Sequence, residues 1–67
     1  EEAAQLKERI RESAVSEFVE NGYDGATMES IALAAGVTKR TLYARYADKR
    51  AVFVDVIPWA FSRAVDR

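Results

Sequence analysis

The stretch IALAAGVTKRTLYARY, residues 31–46, decides the fold of this chain. Two short helix-forming segments flank Gly36, and glycine commonly ends a helix because it adopts the left-handed conformation at little cost. The second segment contains Leu42 as an apolar anchor. Its basic residues are Lys39, Arg40 and Arg45. Two short helices joined by a turn of about 3–4 residues are typical of a helix-turn-helix, whose second helix enters the major groove of DNA.

The residues before this stretch predict an amphipathic helix over 3–20. Apolar side chains recur every fourth residue there and so lie on one face. These side chains are Leu6, Ile10, Ala14 and Phe18. Asn21-Gly22 is predicted to end the helix, Tyr23 to pack back on it, and residues 24–26 to form a short loop.

Polar residues mark where the later helices begin. Thr27, Thr38 and Asp48 each precede a helical pattern and can accept hydrogen bonds from its first free N–H groups. The predicted helices are Met28–Ala35, Lys39–Tyr46 and one that begins at Lys49. Pro58 lacks an N–H, so the fourth helix is predicted to kink or stop there. No strand pattern is visible. The predicted fold class is all-α: a three-helix bundle with a homeodomain-like helix-turn-helix, plus the start of a fourth helix.

The composition excludes several classes of function. The 67 residues contain neither cysteine nor histidine, so disulfides, thiol nucleophiles, zinc sites and a histidine base are excluded. The carboxylates lie on a charged helical face without a set of residues that could form a pocket. We therefore expect no enzyme activity, no catalytic residues, no cofactor and no metal. The apolar runs are too short to span a bilayer and no signal peptide is visible, which favours a cytoplasmic protein without membrane contact.

The charges are unevenly distributed along the chain. The formal net charge is −1, which by itself argues against nucleic acid. However, residues 1–24 carry seven acidic and three basic side chains, whereas residues 38–50 carry five basic side chains and one carboxylate. Because local clustering attracts phosphate more than total charge does, the basic segment 38–50 is compatible with DNA binding.

An ordered set of residues along most of the chain matches a known pattern. The set is Phe18, Gly22-Tyr23, Thr27-Met28, Ile31-Ala32, Ala35-Gly36-Val37-Thr38, Thr41-Leu42-Tyr43, Tyr46 and Lys49. It resembles the N-terminal DNA-binding domain of the TetR family of bacterial transcription regulators over about residues 5–58. The run AAGVTKRTLYARYADK, residues 34–49, is its most specific part. Two positions depart from the family pattern: Arg40 stands where glycine or proline is more common, and Tyr46 where phenylalanine is.

The resemblance implies that two domains of a longer protein have separate functions. Residues 1–57 would form the helix-turn-helix DNA-binding domain, with the motif itself at about 27–46. Residues 58–67 would begin the connection to a C-terminal ligand-binding and dimerisation domain that is absent from this sequence. The implied function is a sequence-specific, ligand-responsive transcriptional regulator, usually a repressor. As a homodimer it would bind a palindromic double-stranded DNA operator in the bacterial cytoplasm, associated with the nucleoid when bound. A small-molecule effector would bind outside this fragment.

The candidate DNA contacts fall into two groups. The base-contact candidates are Lys39, Arg40, Tyr43 and, by resemblance, Met28. The phosphate-contact candidates are Thr27, Thr38, Thr41, Arg45 and, by resemblance, Lys49. Other interpretations stay open: the cations could form a solvated face, Tyr43 and Met28 could pack in the core, and the threonines could serve as helix caps.

Residues outside the motif allow two further interpretations. Lys7, Arg9 and Arg11 are predicted to be solvated partners of Glu8 and Glu12. Three interpretations stay open for Trp59, Phe61 and Val65: packing against the absent domain, a dimer contact with a second copy, or packing back on the first helix. Two other classes of function therefore stay open: a protein-binding helical module that docks a partner through Trp59 and Phe61, and a homeodomain-like module of unknown target.

Overall fold

A computed structural model describes the backbone of residues 2–65 and the side chains of residues 5–65. The described residues form four helices and no strand: α1 (Glu2–Gly25), α2 (Met28–Ala35), α3 (Lys39–Arg45) and α4 (Lys49–Val65). α1 packs against both α2 and α4, and α2 packs against α3. The predicted all-α fold with a helix-turn-helix is confirmed.

The end of α1 differs in part from the prediction. The regular helix is interrupted at Gly22, whose φ of 75° and ψ of 168° are open to glycine and strained for other residues. A further helical turn then runs to Gly25, and the Ala26 N–H donates to the Gly22 carbonyl at 3.1 Å. The prediction of a loop over residues 24–26 is therefore wrong for Asp24 and Gly25, which lie in this turn of helix, and correct for Ala26, which lies between α1 and α2.

The predicted helix caps are present. Thr27 accepts a hydrogen bond from the Ser30 N–H at 2.9 Å, and Thr38 accepts one from the Thr41 N–H at 3.1 Å. The Asp48 carboxylate accepts one from the Ala51 N–H at 2.9 Å. These bonds satisfy N–H groups that a helix start leaves free, so the sequence places the starts of α2, α3 and α4 correctly.

The turn and the end of α3 follow from backbone geometry. Gly36 lies in the left-handed region with φ of 75° and ψ of 28°, and its N–H donates to the Leu33 carbonyl at 3.1 Å. α3 ends at Arg45, one residue earlier than predicted, because Tyr46 is extended with φ of −133°. Tyr46 nevertheless caps the helix through its N–H, which donates to the Leu42 carbonyl at 3.0 Å.

All four helices contribute to one apolar core. Its largest fully buried side chains are Ile10, Ile31, Leu42, Val52 and Val56. On α2 the buried alanines are Ala32 and Ala35, whereas Ala34 is exposed.

An aromatic cluster closes the core where α1 ends. The rings of Phe18 and Phe53 meet edge to face at 5.1 Å, as do those of Tyr23 and Phe53 at 5.0 Å. The Tyr23 ring also stacks on Phe18 at 5.9 Å, which confirms that Tyr23 packs back on α1.

α4 does not stop at Pro58 but continues to Val65. Beyond Pro58 it contacts α1, because the Arg63 guanidinium lies 3.3 Å from the Glu12 carboxylate. The same guanidinium lies 4.7 Å from the centre of the Trp59 ring, one turn earlier on α4. Trp59 is half-buried beside Arg11 of α1, so the interpretation that it folds back on the first helix is correct.

Candidate nucleic-acid interface

The exposed face of α3 carries three of the four base-contact candidates. Leu42 is completely buried and fixes one side of this seven-residue helix against the core. Lys39 and Arg40 are exposed. Tyr43 lies four residues after Lys39 and three after Arg40, so it shares their face of α3, and it is 50% exposed. Among residues 5–65, no carboxylate oxygen lies within 4 Å of the Lys39 or Arg40 charge. This face therefore offers two cationic donors and a phenol to a ligand outside the chain.

The fourth base-contact candidate, Met28, belongs to the core. It is 7% exposed, and it shares its face of α2 with Ile31, Ala32 and Ala35, which are also buried. A side chain directed into the core does not reach a base edge, so we correct the base-contact interpretation and exclude Met28 from the interface. The spacing of three, four and seven residues already contained this signal, because such positions share one helical face.

The threonine candidates are ordered by bonds within the chain. Thr27 and Ser30 form a reciprocal capping box, in which the Thr27 N–H donates to the Ser30 hydroxyl at 3.0 Å. At the start of α3 the Thr38 hydroxyl donates to that of Thr41 at 3.0 Å. A hydroxyl has one donor and two acceptor sites, so each of these groups keeps some capacity for an external partner. The caps and a phosphate contact are thus compatible roles.

Arg45 and Lys49 have different surroundings. Arg45 is exposed in the last turn of α3. Lys49 is half-buried: its ammonium donates to the Tyr23 carbonyl at 2.6 Å and lies 4.3 Å from the centre of the Tyr23 ring. Lys49 thus ties the last turn of α1 to the start of α4. Because an ammonium group has three donors, it keeps donors for a further acceptor. No local spacing indicates this bond, because it joins residues 26 positions apart.

Three residues that are not among the predicted DNA contacts form a hydrogen-bonded network at the C-terminal end of α3. The Tyr46 hydroxyl donates to Asp55 Oδ2 at 2.6 Å. Arg11 donates to the same carboxylate through Nε at 3.2 Å and through Nη2 at 3.3 Å. The prediction that Arg11 pairs with Glu8 or Glu12 is wrong, because Asp55 offers both of its oxygens to the guanidinium fork.

The network fixes the protonation states of its members. Burial acts to raise the pKa of Asp55, but hydrogen bonds from Tyr46 and Arg11 and the Arg11 charge outweigh it and lower the pKa overall. Burial and the bond to Asp55 raise the pKa of Tyr46. The bond to Asp55 also raises the pKa of Arg11, against the effect of burial. Near neutral pH the network thus consists of a carboxylate, a guanidinium and a neutral phenol that donates.

Other kinds of site are not visible in the described part of the chain. Within it, no group of three or more acidic side chains is placed to hold a metal ion. None of the helices described there is both long and apolar enough to cross a membrane.

Comparison with known proteins identifies the class. Residues 10–56 match the family of bacterial regulatory proteins called the tetR family. The match extends over more than half of the 67 residues, and the chain belongs to this family. The relatives that it matches are named transcriptional regulators, which agrees with the expectation of no enzyme activity.

Individual relatives agree with this assignment. A crystal structure from Mesorhizobium loti MAFF303099, described as a TetR-family transcriptional regulator, superposes with a TM-score of 0.92 at 35% identity, over 98% of this chain and 33% of that one. A mutant of HlyIIR gives a TM-score of 0.76 at 28% identity, over 79% of this chain and 30% of that one.

A curated relative points the same way. The negative transcriptional regulator IcaR of the biofilm operon icaADBC of Staphylococcus epidermidis is 30% identical over 61 residues, which are 91% of this chain and 33% of IcaR. The chain thus spans about a third of the length of the relatives that it matches.

Proposed function

We propose that this chain binds double-stranded DNA in a sequence-specific manner, with α3 in the major groove. The observation that carries the proposal is the exposed face of α3, where Lys39, Arg40 and Tyr43 stand beside one another and the two cations have no carboxylate partner among the side chains described. The major groove admits one α-helix, and clustered cations at its entrance attract the phosphates. Membership in a family of transcriptional regulators supports this choice of ligand.

The proposed roles follow from the chemistry of each side chain. Lys39 and Arg40 read base edges, since an arginine can donate two hydrogen bonds to O6 and N7 of guanine. Tyr43 contacts a thymine methyl group or donates to a phosphate. The proposed phosphate contacts are Thr27, Thr38, Thr41, Arg45 and Lys49.

The biological unit that we propose is a homodimer on a palindromic operator. One recognition helix makes few base contacts, so specific affinity requires two half-sites about 34–36 Å apart. Residues 1–57 form the DNA-binding domain in this proposal, and residues 58–67 begin the connection to a dimerising domain that binds a small-molecule effector. Repression in the bacterial cytoplasm is the proposed mode, supported by the relative IcaR, which is named a negative regulator.

A salt titration tests the proposal. The chain, fused at its C-terminus to a dimerising coiled coil, is used to select duplexes from a random pool, and its affinity for the selected duplex is measured from low to high salt. We expect the affinity to fall steeply, with a logarithmic slope of about −0.9 per phosphate neutralised. No binding to any duplex at low salt would overturn the proposal.

A matched pair of variants locates the interface. We expect Arg40→Ala to cost about 1–3 kcal/mol of binding free energy if Arg40 contacts a base, together with relaxed preference at one base pair. Arg9→Ala removes the same side chain from the exposed surface of α1 and should leave binding unchanged. Equal losses in the two variants would show that binding follows overall charge and not the face of α3.

A second candidate function is a protein-binding module. Phe61 and Val65 are 71% and 66% exposed on α4, and a partner could cover them. A chain that binds a protein partner and not DNA would show no salt-dependent affinity for the duplex, so the same titration separates the two candidates.

A further inference from the structure

The recognition helix α3 has few attachments to the rest of the chain. It is seven residues long, and Leu42 is its one fully buried side chain. The start of α3 is fixed by the turn at Gly36 and by the Thr38 cap. A single apolar anchor in the middle leaves a short helix free to tilt, so the direction of α3 depends on what holds its C-terminal end.

That end is held by Tyr46. The Tyr46 N–H caps α3 through the Leu42 carbonyl at 3.0 Å, and the Tyr46 hydroxyl donates to Asp55 of α4 at 2.6 Å. This is a short hydrogen bond to an ionised acceptor, and such bonds are about twice as strong as neutral ones. One residue therefore links the last turn of the recognition helix directly to α4.

Asp55 is in turn fixed from the opposite side. Arg11 of α1 donates to both of its carboxylate oxygens, at 3.2 and 3.3 Å, so the carboxylate cannot rotate without breaking a bond. The side chains of Arg11 and Asp55 are 22% and 33% exposed, so water screens the pair only in part. Three helices thus converge on one carboxylate.

We propose that Tyr46, Asp55 and Arg11 form a positioning network that sets the angle at which α3 presents its exposed face to DNA. The inference rests on the proposed function. Contacts to base edges require side chains held within about 10–20° of the right geometry, whereas phosphate contacts with flexible cations tolerate more variation. Loss of the network should therefore reduce discrimination between DNA sequences more than it reduces non-specific affinity.

Removal of one hydroxyl tests this. Tyr46→Phe keeps the ring and deletes the donor to Asp55. The matched control is Tyr23→Phe, because the Tyr23 hydroxyl makes no hydrogen bond to any residue among those described. The readout is the ratio of the dissociation constants for a random duplex and for the selected operator, at one salt concentration and well below the melting temperature.

We expect Tyr46→Phe to lower this ratio about tenfold, the effect of losing one hydrogen bond to a charged group, with the affinity for the random duplex nearly unchanged. Asp55→Asn keeps an acceptor but loses the charge and should lower the ratio in the same direction. Tyr23→Phe should leave the ratio as in the wild type. A merely stabilising role of Tyr46 would lower the melting temperature without changing the ratio.

A measurement without DNA separates the two proposals. Residual dipolar couplings of backbone amides in the 67-residue chain report the orientation of α3 relative to α4, and we expect it to change in both variants of the network. If the wild type binds no duplex, the proposed function fails and the couplings still decide the inference. Unchanged couplings in Tyr46→Phe and Asp55→Asn, or an unchanged ratio in a wild type that does discriminate, would overturn it.

Discussion

Replacement of Leu42 by alanine tests how α3 is attached to the core. Leu42 has no exposed surface and is the one fully buried side chain of α3, so its truncation leaves a cavity directly beneath this helix. Leucine-to-alanine changes at such sites cost about 2–5 kcal/mol, depending on how far the surroundings collapse into the space. We expect a loss of about 3 kcal/mol here, because the Thr38 cap and Tyr46 hold both ends of α3 and restrict its collapse.

This loss is large relative to the stability of so small a chain. Domains of fewer than about 70–80 residues rarely exceed roughly 3–5 kcal/mol without disulfides or metals. If the free energy of unfolding of the wild type is about 4 kcal/mol, that of Leu42→Ala is about 1 kcal/mol, and roughly 15% of the variant molecules are unfolded at 25 °C. Urea unfolding followed by helical circular dichroism measures both values by linear extrapolation.

Leu33→Ala is the matched control. Leu33 lies on the neighbouring helix α2 and is 81% exposed, so the same truncation there should change the free energy of unfolding by less than about 0.5 kcal/mol. If the two variants lose equal stability, or if Leu42→Ala loses less than about 1 kcal/mol, α3 is not attached through Leu42 and the reasoning is refuted.

Three further predictions concern the caps, the network and α4. Thr27→Ala removes the cap of α2 and should cost about 1 kcal/mol in the same urea experiment, and an unchanged midpoint would argue against the capping box. Because the pKa of Asp55 is lowered in the folded state, its contribution to stability is complete above its ordinary pKa of about 3.9 and is lost as the pH falls below that value. The free energy of unfolding, measured from pH 7 to pH 2.5, should therefore fall less with acid in Asp55→Asn than in the wild type. Identical pH profiles of the two proteins would contradict this. Pro58→Ala restores an N–H inside α4 and should raise the free energy of unfolding, by up to ~3 kcal/mol, whereas a lowered midpoint would indicate that proline is required there.

The parts of the fold that the sequence predicted depend on short-range rules. Thr27, Thr38 and Asp48 cap helices through bonds to N–H groups three residues away, so their roles are visible in the local spacing. The left-handed Gly36 and the buried Leu42 are likewise local signals, one from backbone geometry and one from periodicity. The exposed side of α3 then follows because its opposite side is buried.

The parts that the sequence missed are long-range or involve competing forces. Arg11 and Asp55 are 44 residues apart, and nothing in the spacing distinguishes Asp55 from the nearer carboxylates as the partner. The bond from Lys49 to the Tyr23 carbonyl depends on how α1 and α4 pack. Of the two effects predicted for Pro58, a kink or a stop in α4, the stop is wrong, because a single missing N–H does not end a helix that packs on a neighbour. Two interpretations stayed open for Met28, a base contact by resemblance and a place in the core, and its burial agrees with the second.

The position of Trp59 has a consequence for measurement. Trp59 is the one tryptophan of the chain, and the guanidinium groups of Arg11 and Arg63 lie 5.5 and 4.7 Å from its ring centre. The intrinsic fluorescence of the chain therefore has one dominant source, at the contact between α1 and the C-terminal half of α4. Its emission reports separation of these two helices without any label. Comparison with the far-ultraviolet signal distinguishes that local event from loss of the helices themselves.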